Sequence, residues 1–449
     1  MANLISEAAA RRLCSRALNR VTAEAAQVQL TARNHSNTRA AANAIISSGD
    51  VTDTAMTLTA QIGRRSASVT VNQTDDGTLA EAGQRLDALV THAPEDPELL
   101  PPLEQPVYEN VEGFSQTTDE LGADERADAA ATLVQKAAGA GLIASGFVDR
   151  QAVAKVVANS AGLFAYHQST LASFTATVRT EEGDGSGWAG TTHNDWARMI
   201  PPDALADRAI RRTQQSRGAA DIEPGDYTVL LEPTAVGNLL VLFRSALDAR
   251  AADEGRSRFS RPGGGSLIGE QVADERLTLY SDPADEDLLE PPFTETGEPV
   301  CRATWIENGV LRSLGYSRFW AERAGVAPVP IAGGLKLVGG TGDVQSLVSS
   351  VERGVLITRF WDIQALDPRS MQYTGLTRDG TFLIENGQVT GAVKNLRFSE
   401  SLFGMLNRID GIGSSERVVA SESGGLGPAV VVPPLVVRDF RFTAVLDAV

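Results

Sequence analysis

The 449-residue chain reads as an α+β protein in three parts: two small α+β units, then a larger β-rich C-terminal domain. Three observations carry this reading. Some short runs alternate apolar and polar residues with the period of a half-buried strand, while others repeat apolar residues three and four apart, as one face of a helix does. A proline-rich stretch, Pro94, Pro97, Pro101, Pro102 and Pro106, removes backbone donors and interrupts regular structure. The C-terminal half is turn-rich and contains an internal echo, Ile306-Glu307-Asn308-Gly309 and Ile384-Glu385-Asn386-Gly387. With a second linker at Arg217 to Asp226, the expected parts are residues 1–105, 106–220 and 221–449.

In order, the first part opens with an amphipathic helix predicted from about Glu7 to Ala25. Alternation at Val28, Leu30 and Ala32, at Met56 to Ile62 and at Ala67 to Val71 predicts three strands, the last two joined by a hairpin turn at Gly63-Arg64-Arg65. A helix follows over Leu79 to Val90. The second part is expected to hold a helix over about Asp124 to Ala140, a strand through Phe174, Ala176 and Val178, and a helix over about Asp203 to Ser216. The third opens with a strand, Tyr227 to Leu231, and a helix from Thr234 to about Ala249, whose stripe is Val236, Leu239, Leu240, Phe243 and Leu247. Each Asn-Gly pair suits the two positive φ angles of a type I′ turn, so each echo is a tight hairpin rather than a catalytic motif. A helix beginning at Asp343 leads into a strand over Val355 to Trp361.

Composition narrows the function. The net charge of −17, from 40 basic against 57 acidic side chains, argues against nucleic acid or an anionic membrane as partner. No apolar run approaches the roughly 20 residues of a membrane span, and the N-terminus lacks the apolar core of a secretory signal. Two cysteines, Cys14 and Cys301, make no disulfide framework, which fits a reducing cytoplasm. Both are expected to act as small buried hydrophobes.

Catalytic motifs are mostly missing: no His-Glu-x-x-His, Cys-x-x-Cys, Walker loop or Gly-x-Ser-x-Gly occurs. The glycine-rich Arg261 to Ser266 run reads as a surface loop, and the acidic Asp282 to Glu290 run as a solvated loop rather than a cation site. His167 and His193 could form a zinc pair but lack an evident third ligand, so ordinary hydrogen-bonded histidines are favoured.

Several segments, in order and spacing, resemble the TldD/PmbA family from about Val21 to Thr443. They are Asn159 to Leu163 with Tyr166 to Thr170 and the Gly183 to Trp188 turn; Thr296 to Pro299 leading into Ile306 to Leu311; Gly354 to Trp361; and Phe382 to Gly387 with Asn407 to Gly413. In the catalytic branch of that family, His-Glu-x-x-x-His opens the helix of the third domain, with a cysteine ligand further on. The resemblance aligns Pro233 and Asn238 with the two histidines, Thr234 with the glutamate, and the cysteine-free Val418 to Gly425 stretch with the third ligand. Proline cannot ligate a metal and threonine is no general base. The Lys-Xaa-Gly-Gln run after the cysteine is altered as well.

The resemblance therefore implies a PmbA/TldE-type subunit with no zinc and no catalytic residue of its own. It would work in the cytoplasm beside a zinc-bearing TldD-type partner on peptides or peptide-like substrates, secondary-metabolite intermediates among them. Two alternatives stay open. One is a metal-free enzyme acting on a small biosynthetic intermediate, with Thr234, Asn238, His167 and Arg359 as groove residues. The other is a plain peptide-binding module.

Overall fold

The computed structural model describes residues 4–446, and its architecture is α+β. The first half is organised by one six-stranded antiparallel sheet, β1 (Ala25–Ala41), β2 (Ala44–Ile62), β3 (Arg65–Val71), β4 (Ile143–Asn159), β5 (Phe164–Arg179) and β6 (Ser186–His193), in the order β3-β2-β1-β4-β5-β6. The sheet thus runs straight across the proline-rich stretch. Strands β1 and β4 pair from Gln27–Asn159 to Ala40–Gly146, so residues more than a hundred positions apart lie side by side.

On one face of this sheet, Val28, Leu30, Met56 and Leu58 pack on Leu79 and Leu86 of the helix Asp76–His92 and on the helix Glu7–Leu18. Further along the same face, Phe174, Ala176 and Val178 pack on Leu133 and Leu205 of the helices Ala123–Gly139 and Pro202–Gln215. Residues of the opposite parity, Val157 and Ala165, face Phe293 of the C-terminal half. Strand β4 is therefore covered on both faces, which erases the alternation a half-buried strand would show and explains why it carries no period-2 signature.

The C-terminal half stacks a nine-stranded sheet on a six-stranded one. Val229, Leu231, Val355, Ile357 and Val437 from the first meet Leu279, Trp305, Leu337 and Val430 from the second in one large core. The helix Pro233–Phe243 is embedded in that core, with eight of its residues buried and Val241 exposed. Both Asn-Gly turns take the expected conformation, with φ of 49° and 75° at Asn308 and Gly309 and of 50° and 72° at Asn386 and Gly387.

Some element ends differ from the sequence expectation. The first helix stops at Leu18, because the chain reverses at Thr22, whose backbone N–H and hydroxyl both bond the Asp87 carboxylate. The helix after Pro233 ends at Phe243 and passes into a 3-10 turn, and Asp248 then caps a new helical turn by accepting from Arg250 N–H. Cys14 is buried as expected, whereas Cys301 is exposed.

The fit of the helix Pro202–Gln215 against β6 depends on Gly187. A Cβ there would lie 2.3 Å from the Ala209 carbonyl oxygen and 2.5 Å from the Thr213 nitrogen, both rigid helix backbone. Gly187→Val is expected to destabilise the protein by about 3 kcal/mol, at the upper end of overpacking costs, as read from the denaturant midpoint. Gly49→Ala, where a Cβ meets nothing within 4 Å, is the control and is expected to be near neutral.

Candidate functional site

The helix Pro233–Phe243 starts where the strand Asp226–Leu231 ends, and Pro233 at its first position costs no hydrogen bond, since the first N–H groups of a helix are unpaired anyway. Its start is tied to the central helix: the Arg212 guanidinium pairs with the Glu232 carboxylate and donates to the Trp188 carbonyl at 2.7 Å. Pro233 is buried and Thr234 half-buried.

Asn238 is buried, and both ends of its amide are engaged. Nδ2 donates to the Ala420 carbonyl at 2.8 Å, and Oδ1 accepts from the Phe360 N–H at 3.0 Å. One side chain thus staples the helix to the loop at Ala420 and to the start of the strand Phe360–Asp367. Gly237 lets the Ala420 segment come close, since a Cβ there would lie 2.6 Å from Val418 Cγ2 and 3.5 Å from the Ala420 methyl.

Donor chemistry decides whether zinc could sit here. The proline side chain offers no lone pair, the Asn238 amide is engaged at both ends by backbone groups, and Ala420 presents a methyl group. Among the described residues no cluster of three His, Cys, Asp or Glu side chains could hold a metal. These residues do not fit a zinc ion.

Arg359 lies just past the strand Arg353–Ile357 and is 3% exposed. Its guanidinium stacks over Trp188 at 4.5 Å and Trp361 at 5.4 Å, pairs with Asp379 at 3.4 Å and donates to the Glu422 carbonyl. Asp379 also accepts from Ser186 Oγ at 2.5 Å. Burial pushes the Arg359 pKa down, with Asp379 opposing it. The residue clamps β6 to the C-terminal half, and it opens onto neither of the cavities described next.

Those cavities lie between the two halves. One, of about 120 Å³, is lined by Val241, Arg244, Leu335, Val419, Ala420 and Val430 among others, beside the Asn238 staple. The other, of about 460 Å³, runs over Lys155, Ser169 and Asn194 on one side and Glu290, Gly333 and Arg417 on the other. They share a wall of Arg244, Gly333, Gly427 and Pro428. Arg417 donates to Asn194 Oδ1 at 2.8 Å and to the Asp287 carbonyl at 3.0 Å; burial first, against the pull of Asp287 and Glu290, lowers its pKa to about 10. The acidic run is not simply solvated: Asp285 and Asp287 pair with Lys336, and Glu290 turns inward to accept from the Gly333 N–H at 2.8 Å. Sequence reasoning passed over Arg244, Lys155 and Arg417, because each cation gains meaning only from the cavity it shares.

His167 and His193 do not come together. His193 is paired across the sheet with Ala172, and His167 is an odd number of residues from Ala172, so the two imidazoles lie on opposite faces. Each is buried, with Nε2 lacking a hydrogen-bond partner among the described residues. His193 Nδ1 accepts from the Asp195 N–H at 2.9 Å. Burial lowers both pKa values to about 4, helped by Lys155 at His167 and by Arg417 and Arg198 at His193.

Residues 224–444 match the PmbA/TldA metallopeptidase C-terminal domain, and residues 102–217 match the central domain of the same family. A protein named metalloprotease, from Methanothermobacter thermautotrophicus, is 25% identical over 177 residues; the match spans 37% of this chain and 38% of that protein. TldE from Thermococcus kodakarensis superposes with a TM-score of 0.84 at 15% identity, covering 97% of this chain and all of the other. A candidate modulator of DNA gyrase from Bacteroides thetaiotaomicron superposes equally well, at 0.84 with 19% identity over 98% of this chain and all of its own. At these identities the two superpositions show a common fold.

Two expectations follow from this geometry. Asn238→Ala leaves the Ala420 carbonyl and the Phe360 N–H buried without partners, and should cost about 2–4 kcal/mol in a denaturant melt. The histidines bear on acid stability. The unfolded chain protonates them near the ordinary value of about 6.5, while the folded chain holds them neutral to about 4. Their contribution is present in full above about pH 6.5 and is lost as the pH falls toward 4, by up to about 3 kcal/mol for each. His167→Leu should flatten the stability profile across that window; an unchanged slope would refute the assignment.

Proposed function

The chain belongs to the PmbA/TldD metallopeptidase family, and from that premise we propose that it is the non-catalytic member of a heteromeric pair. A partner carrying His-Glu-x-x-x-His would supply the zinc, and this chain would shape the assembly and the groove that receives a peptide or peptide-like substrate. The single observation that carries the proposal is Asn238. At the position aligned with a zinc-binding histidine, both polar atoms of its amide hold backbone groups, the Ala420 carbonyl and the Phe360 N–H. That wiring supports a structural role for Asn238 rather than a metal ligand's. A proline at the other ligand position and a threonine at the base position point the same way.

The similarity to TldE in fold and the match to a protein named metalloprotease support a place in peptide processing. No helix among the described residues is long and apolar enough to cross a membrane. We assign the pair to the cytoplasm on the strength of the free cysteines and the acidic composition.

Purified and dialysed, the chain is expected to hold no stoichiometric zinc by elemental analysis and to cleave no peptide alone. Hydrolysis should arise when a homologue with the intact zinc motif is added, and the two should co-purify. Turnover by the lone chain in the presence of a chelator would favour a metal-free enzyme instead. Restoring the motif by Pro233→His, Thr234→Glu and Asn238→His together should give at most weak zinc binding, because Ala420 and Ser421 offer no thiolate and two imidazoles leave a structural site incomplete. Tight zinc binding with hydrolysis by that triple variant would overturn the account.

A further inference from the structure

The larger cavity carries more positive charge than its own acids balance. Lys155, Arg244 and Arg417 line it against two carboxylates, Glu290 and Glu295. Arg417 is held by Asn194 and the Asp287 carbonyl, and Glu295 is exposed at the rim. Among the described residues, neither Lys155 nor Arg244 donates a hydrogen bond or forms an ion pair, although both act on the Glu290 carboxylate electrostatically. Glu290 itself is already bonded by the Gly333 N–H, and burial raises its pKa against the pull of Arg244 and Lys155. Two cationic heads thus project into a walled space with their donors free. An incoming carboxylate matches them, since it can accept charge-assisted hydrogen bonds from both heads.

The smaller cavity supplies the other half of a ligand. Its walls at Val241, Leu335, Val419, Ala420 and Val430 are aliphatic, and Arg244 belongs to both cavities. A group seated on Arg244 therefore has an apolar pocket immediately beside it. An α-carboxylate and an aliphatic side chain on the same carbon have that relation.

We propose that the joined cavities bind the free C-terminal end of a peptide, with its carboxylate on Arg244 and Lys155 and its last aliphatic side chain, valine or leucine in size, in the pocket beside Ala420. This deepens the reading of the chain as a groove-shaping subunit by naming what the groove grips, and it rests on that reading for the choice of a peptide. The side chain occupies the space that the resemblance would give to a metal ligand, so the same loop that leaves zinc without a donor becomes an apolar wall.

Isothermal titration of the full chain, without a partner, tests this with four probes: acetyl-Ala-Ala-Val with a free carboxylate, the same peptide as its C-terminal amide, acetyl-Ala-Ala-Gly with a free carboxylate, and inorganic phosphate. The free valine peptide should bind at one site, the amide and the glycine peptide each at least about tenfold weaker, and phosphate more weakly than the valine peptide. Arg244→Gln should abolish the preference for acid over amide, and Lys155→Gln, at an exposed position, should reduce it even where the first variant folds poorly. Ala420→Phe, which fills the pocket, should remove the preference for valine over glycine while keeping that for acid over amide. Equal affinity for acid and amide, no binding of either, or tighter binding of phosphate would overturn the proposal. None of these outcomes bears on partner-dependent hydrolysis, so the two readings fail separately.

Discussion

The pairing of β1 with β4 is the constraint on which the rest of the molecule depends. It joins Gln27–Ala40 to Gly146–Asn159 in unbroken antiparallel register, and every other strand of the first sheet adds outward from these two. The loop between them is long, so closing it costs chain entropy that only extensive pairing and burial can offset. Once closed, it fixes which face of the sheet receives the four helices and which is turned to the C-terminal half. Without that orientation Lys155 and Ser169 would not form one wall of the groove.

The second level of organisation is the seam between the halves, where polar and aromatic contacts join the apolar packing of Val157 and Ala165 on Phe293. Arg359 stacks on Trp188 and pairs with Asp379, Ser186 bonds Asp379, and Arg212 reaches both Glu232 and the Trp188 carbonyl. Each of these groups would be costly to bury alone, and each is engaged by the others. The seam is therefore specific in register, and it leaves the groove beside it instead of closing it with apolar contact.

Asn238 shows how one buried amide can organise a helix and its surroundings. The amide of Asn238 ties the helix Pro233–Phe243 to the Ala420 loop and to the start of the strand Phe360–Asp367 through two hydrogen bonds. The fold keeps the TldE-like arrangement at a TM-score of 0.84 with 15% identity, which fits a core set by burial pattern rather than by particular residues.

The sequence by itself determined the α+β class, the helices at Asp76–His92, Ala123–Gly139 and Pro202–Gln215 to within a few residues, and the two Asn-Gly hairpins, because local periodicity and turn chemistry act over a few residues. It also drew attention to Pro233, Thr234, Asn238, Arg359 and His167, but not to what each one touches. Only the tertiary structure decided that β4 exists, since a strand buried on both faces leaves no alternation to read, and that His167 and His193 lie on opposite faces, since that parity depends on strand register. The groove was equally hidden. Lys155, Arg244 and Arg417 are ordinary cations along the chain and meet only because distant segments enclose one cavity. Charge matching of that kind is set by three-dimensional proximity, which composition and spacing do not encode.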